Sequence, residues 1–154
     1  MSLTFAIDFD ATIVRADQPY ADVETPLQFM PGALEALTAL KAEGHTLVVF
    51  SGRANRAKRI DPRLDPLVAA GVRRLDVERF KAGRVLEQAR YQQMLDFVAE
   101  NLEGVIDAVD DGRCGKVAAD IFVDDKALGF GLATDRVGWA EIAARYGRAE
   151  RKGR

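Results

Sequence analysis

The feature that most constrains this chain is a short apolar segment near its start that runs into two acidic residues. Residues 3–9 read Leu-Thr-Phe-Ala-Ile-Asp-Phe, and Asp10 follows directly. This run predicts a buried strand of a parallel sheet, with Asp8 and Asp10 at its carboxyl end. Open α/β sheets bind ligands at that edge. Two carboxylates there are costly unless a cation or a reaction requires them, and a divalent metal is the simplest explanation.

The rest of the chain alternates apolar segments with segments of helical spacing. Further strands are predicted at about residues 46–50, 105–109 and 120–123. Helices are predicted at about residues 33–41, 54–59, 62–70, 85–102 and 139–146, with a weak strand at 72–77. In the first helix, Leu34, Leu37 and Leu40 are expected to share one buried face before Gly44 ends it. The alternation predicts an α/β fold built on a doubly wound parallel sheet.

Composition places the chain among ordinary globular proteins. It has 154 residues, 48% of them hydrophobic and 30% charged, which fits one domain over residues 1–147 with a basic tail at 148–154. The formal net charge of -2 does not support binding to nucleic acid or to anionic membranes. The single cysteine, Cys114, rules out an intramolecular disulfide and suggests the cytoplasm. We expect no signal peptide and no membrane span.

The second strand ends in a small hydroxyl residue and a glycine, Ser51-Gly52, followed by Arg53. Gly52 allows a close approach of the backbone to a ligand, and the N–H groups of the next helix would face an anion. This arrangement suits a phosphate group. The alternative is that Ser51 only caps the following helix, as serine commonly does.

A third candidate site combines a lysine with a second pair of acids. Lys116 precedes the predicted strand at 120–123, and Asp124 and Asp125 follow that strand. If this strand lies beside the first, both acidic pairs meet in one crevice, and oxygen ligands of this kind select Mg²⁺. The alternatives are that Asp124-Asp125 forms a turn or helix cap and that Lys116 is a solvated surface lysine.

Taken in order, these motifs resemble those of the haloacid dehalogenase (HAD)-like hydrolase superfamily, and the resemblance covers most of the chain. The first motif is similar to residues 8–12, the second to Ser51, the third to Lys116 and the fourth to Asp124-Asp125. The spacing of the last two resembles that of a small phosphatase-like branch. Two departures are Ala11, where glycine is common, and the long segment 53–104.

The resemblance implies a three-layer, HAD-like Rossmannoid fold and a Mg²⁺-dependent phosphomonoester hydrolase. Asp8 would attack phosphorus to form an aspartyl-phosphate, and Asp10 would act as general acid and then as general base. The catalytic residues would be Asp8, Asp10 and Lys116. The substrate-binding residues would be Thr12, Ser51, Gly52 and Arg53. The metal would be held by Asp8, the backbone carbonyl of Asp10 and Asp124, with Asp125 either binding through water or orienting the ligands. Which of Asp124 and Asp125 binds the metal directly stays open.

The resemblance also bears on whether a cap covers the proposed active site. Residues 13–29 have room only for a short flap, so we expect a minimal cap or none and an open site. Such sites suit phosphorylated polymers, or are covered by a second copy in a homo-oligomer, although nucleotides and sugar phosphates remain candidates. A basic rim could read a second anionic group on the substrate, with a solvated helix face as the alternative. Its members would be Arg15, Arg53, Arg56, Lys58 and Arg59.

Two other functions use the same residue types. One is a receiver-like signalling domain, which the order of the motifs disfavours. The other is a non-catalytic phosphate- or metal-binding domain that retains the fold. Outside the motifs, His45 is expected to be structural, Trp139 to anchor the last helix, and Cys114 to have no redox role.

Overall fold

The computed structural model of the chain describes residues 2–58, 74–112, 117–126 and 138–147. Within these ranges it contains four strands and four helices. In chain order they are β1 (Thr4–Asp8), α1 (Ala33–Ala42), β2 (Thr46–Phe50), α2 (Gly52–Lys58), α3 (Arg74–Asn101), β3 (Ala108–Val109), β4 (Ile121–Val123) and α4 (Trp139–Tyr146). The predicted helix at 62–70, Arg59, Cys114, Lys116 and the tail at 148–154 lie outside the described residues.

The strands form one all-parallel sheet in the order β3-β2-β1-β4. Asp8 pairs with Phe50 of β2, and Ile7 pairs with Val123 of β4. The chain moves outward from β1 to β3 and then returns to the other side of β1, so the strand order reverses between β1 and β4. Ligands of open α/β sheets bind at such a reversal. The predicted α/β fold with a parallel sheet is therefore confirmed, and its strand order is compatible with a Rossmann-like fold.

The core forms around β1. Phe5, Ala6 and Ile7 are fully buried, as a central strand of a parallel sheet requires. Against them pack apolar residues of every other large element, including Leu37, Leu40, Leu47, Met94, Val123 and Ile142. The apolar runs that predicted β1 and β2 are therefore the same residues that hold the centre of the sheet.

Helix α1 confirms its predicted position but not its predicted face. Leu37 and Leu40 are buried, whereas Leu34 is 38% exposed. Ala33 and Ala36 take the inner positions, because a helix buries residues at spacings of three and four rather than three alone. Gly44, with φ of 82°, follows its end, where the backbone N–H donates to the carbonyl of Lys41.

Two elements differ from the predicted boundaries. Helix α3 begins at Arg74 rather than near residue 85, so the weak strand predicted at 72–77 is wrong. The arginine, glutamate and lysine residues at 74, 78, 79 and 81 have good helix propensity and favour a helix over an alternating strand. Strand β3 is confined to two residues of the predicted 105–109, because residues 103–105 form a turn after α3.

His45 lies at the amino end of β2, opposite the acidic edge, and is buried. Its Nδ1 accepts from the backbone N–H of Leu3 at 3.2 Å, so its Nε2 donates to the carbonyl of Tyr146 at 3.0 Å. The ring thus joins the starts of β1 and β2 to the end of α4, which confirms its structural role.

Among the described helices, none is both long and apolar enough to cross a membrane.

Candidate functional site

Three carboxylates meet at the carboxyl end of the sheet. Asp8 ends β1, while Asp124 and Asp125 follow β4, which is hydrogen-bonded to β1. One carboxylate oxygen from each of the three lies within 4.8 Å of the others. The register of β1 and β4 produces this arrangement, because neighbouring parallel strands end at the same edge.

The environment of Asp8 disfavours its ionised form. Burial, followed by the charge of Asp124, raises the pKa of Asp8 to about 7, although a hydrogen bond from the backbone of Phe9 acts in the opposite direction. Burial also raises the pKa of Asp125, and its hydrogen bond with Asp124 adds to the effect. A cation bound among the three oxygens would offset the repulsion between the carboxylates and favour their ionised forms. The purely carboxylate donor set fits a hard divalent cation such as Mg²⁺.

Thr12 is fully buried and connects the loops that carry these acids. Its hydroxyl donates to Oδ2 of Asp8 at 3.4 Å and accepts from the backbone N–H of Asp125 at 3.1 Å. Its carbonyl accepts from the indole N–H of Trp139 at 2.8 Å, so Trp139 anchors α4, as predicted, through the turn that follows β1. Because its hydroxyl is turned toward Asp8 and Asp125, Thr12 positions the acids; contact with a substrate stays a prediction.

The turn between Asp10 and Thr12 places Ala11 in the left-handed region, with φ of 59°. Among the described residues it is the only one other than glycine with positive φ. The carbonyl of Phe9 accepts from the backbone N–H groups of Ile13 and Val14, which closes the turn. A left-handed position explains why glycine suits this site, since alanine there carries strain from its Cβ.

Arg53 forms the main contact of Asp10. Its Nε donates to Oδ2 at 2.8 Å and its Nη2 donates to Oδ1 at 2.6 Å. Its Nη1 donates to the carbonyl of Arg90 at 2.9 Å and to Oε1 of Gln93 at 3.0 Å. The side chain is 5% exposed and lies over the ring of Phe9. Arg53 therefore ties Asp10 to α3, a role that its position after Ser51-Gly52 did not reveal.

The capping interpretation of Ser51 is confirmed, whereas phosphate binding stays a prediction. Its hydroxyl accepts from the backbone N–H of Arg53 at 3.1 Å, which is a capping contact at the start of α2. Ser51 and Gly52 also line the cavity that contains Asp8 and Asp10. The same two residues thus begin the helix and face the site.

This cavity has a volume of about 330 Å³. Around the acids it is lined by Asp8, Asp10, Ala11, Ser51, Gly52, Arg53, Asp125 and Lys126. Its outer wall consists of Arg15, Ala16, Gln18, Pro19, Tyr20, Asp22 and Leu27 of the flap, with Arg90 and Gln93 of α3. The flap contacts α3 and forms one wall of this cavity; the expectation of an open site stays a prediction.

Tyr20 and Arg90 hold the flap on α3. The guanidinium of Arg90 lies 4.0 Å from the centre of the Tyr20 ring, and its Nη1 donates to the carbonyl of Tyr20 at 2.6 Å. The Tyr20 hydroxyl donates to Oε1 of Glu87. Sequence reasoning missed both residues, because nothing in the spacing of α3 separates a cavity-lining arginine from a solvated one.

Of the five residues predicted to form the basic rim, Arg15 and Arg53 have side chains that the structure describes. Arg53 is directed at Asp10, and Arg15 pairs with Asp17 at 3.2 Å on the exposed flap. The side chains of Arg56 and Lys58, like all of Arg59, lie outside the described residues, as does the predicted catalytic Lys116.

Comparison of the chain with known protein families, curated proteins and solved structures gives no match.

Proposed function

We propose that this protein is a Mg²⁺-dependent phosphomonoester hydrolase that acts through an aspartyl-phosphate on Asp8, within a three-layer HAD-like fold. The observation that carries the proposal is the meeting of the Asp8, Asp124 and Asp125 carboxylates where the strand order reverses. Asp10 and Ser51, which line the same cavity, supply the other groups that such a reaction needs.

In the first step, a carboxylate oxygen of Asp8 attacks phosphorus and the bond from phosphorus to the ester oxygen breaks. Asp10 donates a proton to that oxygen, so the alcohol leaves as a neutral molecule. In the second step, Asp10 accepts a proton from a water molecule that attacks phosphorus. The bond from Asp8 to phosphorus then breaks, inorganic phosphate leaves, and both aspartates return to their starting states.

The carboxylates of Asp8, Asp124 and Asp125, with the carbonyl of Asp10, would hold Mg²⁺. When bound, the ion neutralises negative charge on the phosphoryl oxygens and on the carboxylates themselves. The raised pKa of Asp8 supports this assignment, because an attacking carboxylate must be ionised and a neighbouring cation favours that form. Lys116 is proposed to offset charge on the phosphoryl group.

The strand order supports this proposal over a receiver-like domain. The receiver order places β1 between β2 and β3. In the described sheet, β1 lies between β2 and β4. The acids that follow β4 consequently lie beside Asp8 without an intervening strand.

The test is hydrolysis of an aryl phosphate with Mg²⁺ or with a chelator, by the parent protein and by Asp8→Asn. Asp96→Asn is the matched control, since Asp96 is an exposed aspartate of α3 that bonds to Gln92. We expect turnover that requires Mg²⁺, survives in Asp96→Asn and falls by at least about a thousandfold in Asp8→Asn. Equal rates in the parent and Asp8→Asn would overturn the proposal.

A further inference from the structure

Arg90 occupies the cavity wall with little direct neutralisation of its charge. Its side chain is 11% exposed, and its ion pair is with Oδ1 of Asp10 at 3.9 Å. That oxygen already accepts from Arg53 at 2.6 Å. Nε of Arg90 is buried and has no hydrogen-bond partner among the described residues. A ligand in the cavity cannot reach the buried Nε, so Nη2, which donates no hydrogen bond to a described residue, is the atom of Arg90 that remains available to an anion.

The surroundings of Arg90 disfavour its charge, so an anion beside Nη2 would be stabilising. Burial lowers the pKa of Arg90, and the charge of Arg53 lowers it further, while Asp10 and Glu87 act in the opposite direction. Glu87 also bonds to the Tyr20 hydroxyl. A carboxylate in the cavity would accept a charge-assisted hydrogen bond from Nη2, which is stronger than a bond between neutral groups.

The cavity limits what such a carboxylate can belong to. Its volume of about 330 Å³ is at the small end of the range for ligand sites, about 300–1,000 Å³. Asp8 and Asp125 line one part of it, and Arg90 and Tyr20 line another. A ligand that spans both parts is a small molecule with a phosphoryl group at one end and a second charged group at the other.

We propose that Arg90, held by Tyr20, binds a carboxylate of the substrate, so that the preferred substrates are small phosphorylated hydroxy acids. This proposal rests on the proposed function of the same site. It assigns the choice of substrate to the flap and α3 rather than to the basic residues of α2.

The experiment compares two esters of similar size, 3-phosphoglycerate and glycerol 3-phosphate, which differ in a carboxylate against a hydroxymethyl group. Each is used with Mg²⁺ as a competitor of aryl phosphate hydrolysis, which yields an inhibition constant whether or not the ester is itself hydrolysed. We expect 3-phosphoglycerate to compete about 10- to 100-fold more tightly in the parent protein, the range for a hydrogen-bonded charge. In Arg90→Met this ratio should fall to about 1.

Arg84→Met is the matched control, because Arg84 lies on the same helix and is not among the described residues that line the cavity. It should keep the ratio of the parent. A parent ratio near 1, or an unchanged ratio in a folded Arg90→Met, would overturn the proposal. If Arg90→Met does not fold, Tyr20→Leu takes its place, and an unchanged ratio there counts equally against it.

The two proposals fail in different ways. Aryl phosphate hydrolysis with equal competition by both esters would overturn the carboxylate subsite alone. Absence of aryl phosphate hydrolysis would count against the phosphatase, and calorimetric titration of both esters with Mg²⁺ would then decide the subsite. Tighter binding of 3-phosphoglycerate that depends on Arg90 would support the subsite in that case, and equal binding would overturn it.

Discussion

Arg53 binds the carboxylate of Asp10 through two parallel hydrogen bonds, from Nε to Oδ2 at 2.8 Å and from Nη2 to Oδ1 at 2.6 Å. Such a two-point pair fixes the plane of the carboxylate as well as its position. Because Arg53 also bonds to the backbone of Arg90 and to Gln93, the proposed general acid is oriented by α3.

Replacing Arg53 should therefore affect proton transfer more than phosphoryl attack. We expect Arg53→Lys, which keeps the charge but loses the two-point geometry, to lower kcat on an alkyl phosphate by about 10- to 100-fold. An aryl phosphate, whose leaving group needs no proton, should lose only the contribution of Asp10 to the second step, so its kcat should fall less. Steady-state rates on the two esters measure this difference, and an unchanged kcat on both would show that Arg53 does not orient Asp10.

The raised pKa of Asp8 predicts an unusual pH dependence of stability in the metal-free protein. The folded-state pKa of about 7 lies above the ordinary aspartate value of 3.8, so between these values the folded state holds a proton that the unfolded state has released. The free energy of unfolding should therefore fall as pH rises from about 4 to 7, by up to about 4 kcal/mol.

Urea unfolding at pH 5 and pH 8 with a chelator, in the parent and in Asp8→Asn, measures this effect. Asp8→Asn should lose the decrease, and Mg²⁺ should reduce it in the parent. The difference between the two proteins isolates Asp8 from carboxylates such as Asp107, whose pKa is lowered by its hydrogen bond with Lys41. The same pH dependence in both proteins would refute the prediction.

The hydroxyl of Thr12 should contribute both to stability and to Mg²⁺ binding. Thr12→Val keeps the shape but leaves the backbone N–H of Asp125 without its acceptor, so we expect a loss of about 1–3 kcal/mol in the free energy of unfolding and weaker Mg²⁺ binding. Thr12→Ser loses a buried methyl group, at about 1 kcal/mol, but should bind Mg²⁺ as the parent does. Calorimetric titration with Mg²⁺ separates the two variants; equal affinities would show that the hydroxyl does not position the acids.

Replacing Ala11 with glycine should stabilise the folded protein. Its φ of 59° is unfavourable for alanine by about 1–2 kcal/mol, and the greater freedom of glycine in the unfolded chain offsets part of the relief. Ala11→Gly should therefore raise the free energy of unfolding by about 0.5–1 kcal/mol. Urea titration of the two proteins provides the comparison, and destabilisation by Ala11→Gly would mean that the turn is not strained.

The sequence predicted the centre of the sheet well because the relevant signals are local. An apolar run that ends in polar residues defines both β1 and β2, and each observed boundary lies within one residue of the prediction. The acids of β1 and β4 were expected to meet because parallel strands share an edge. Leu34 was wrongly assigned to the buried face of α1, because residues spaced three apart move progressively around a helix. Ala33 and Ala36 occupy the buried positions instead.

The outer wall of the cavity could not be predicted, because its contacts are between distant residues with no periodic signal. Arg53 and Asp10 are 43 positions apart, and Arg90 lies 70 positions from the Tyr20 carbonyl that it contacts. Arg90 resembles an ordinary surface residue in its own segment, and the phosphate expected beside Arg53 gave no sign of its pairing with Asp10. Only the packing of α2 and the flap on α3 reveals these contacts.

The central claim is that Asp8 carries the phosphoryl group during the reaction. Its most direct test is an acid quench of Asp10→Asn during turnover of an aryl phosphate with Mg²⁺, followed by mass spectrometry of the peptide that contains Asp8. Loss of the general base should slow the second step, so we predict one added phosphoryl group on Asp8. Continued turnover with an unmodified Asp8 at every quench time would contradict the claim.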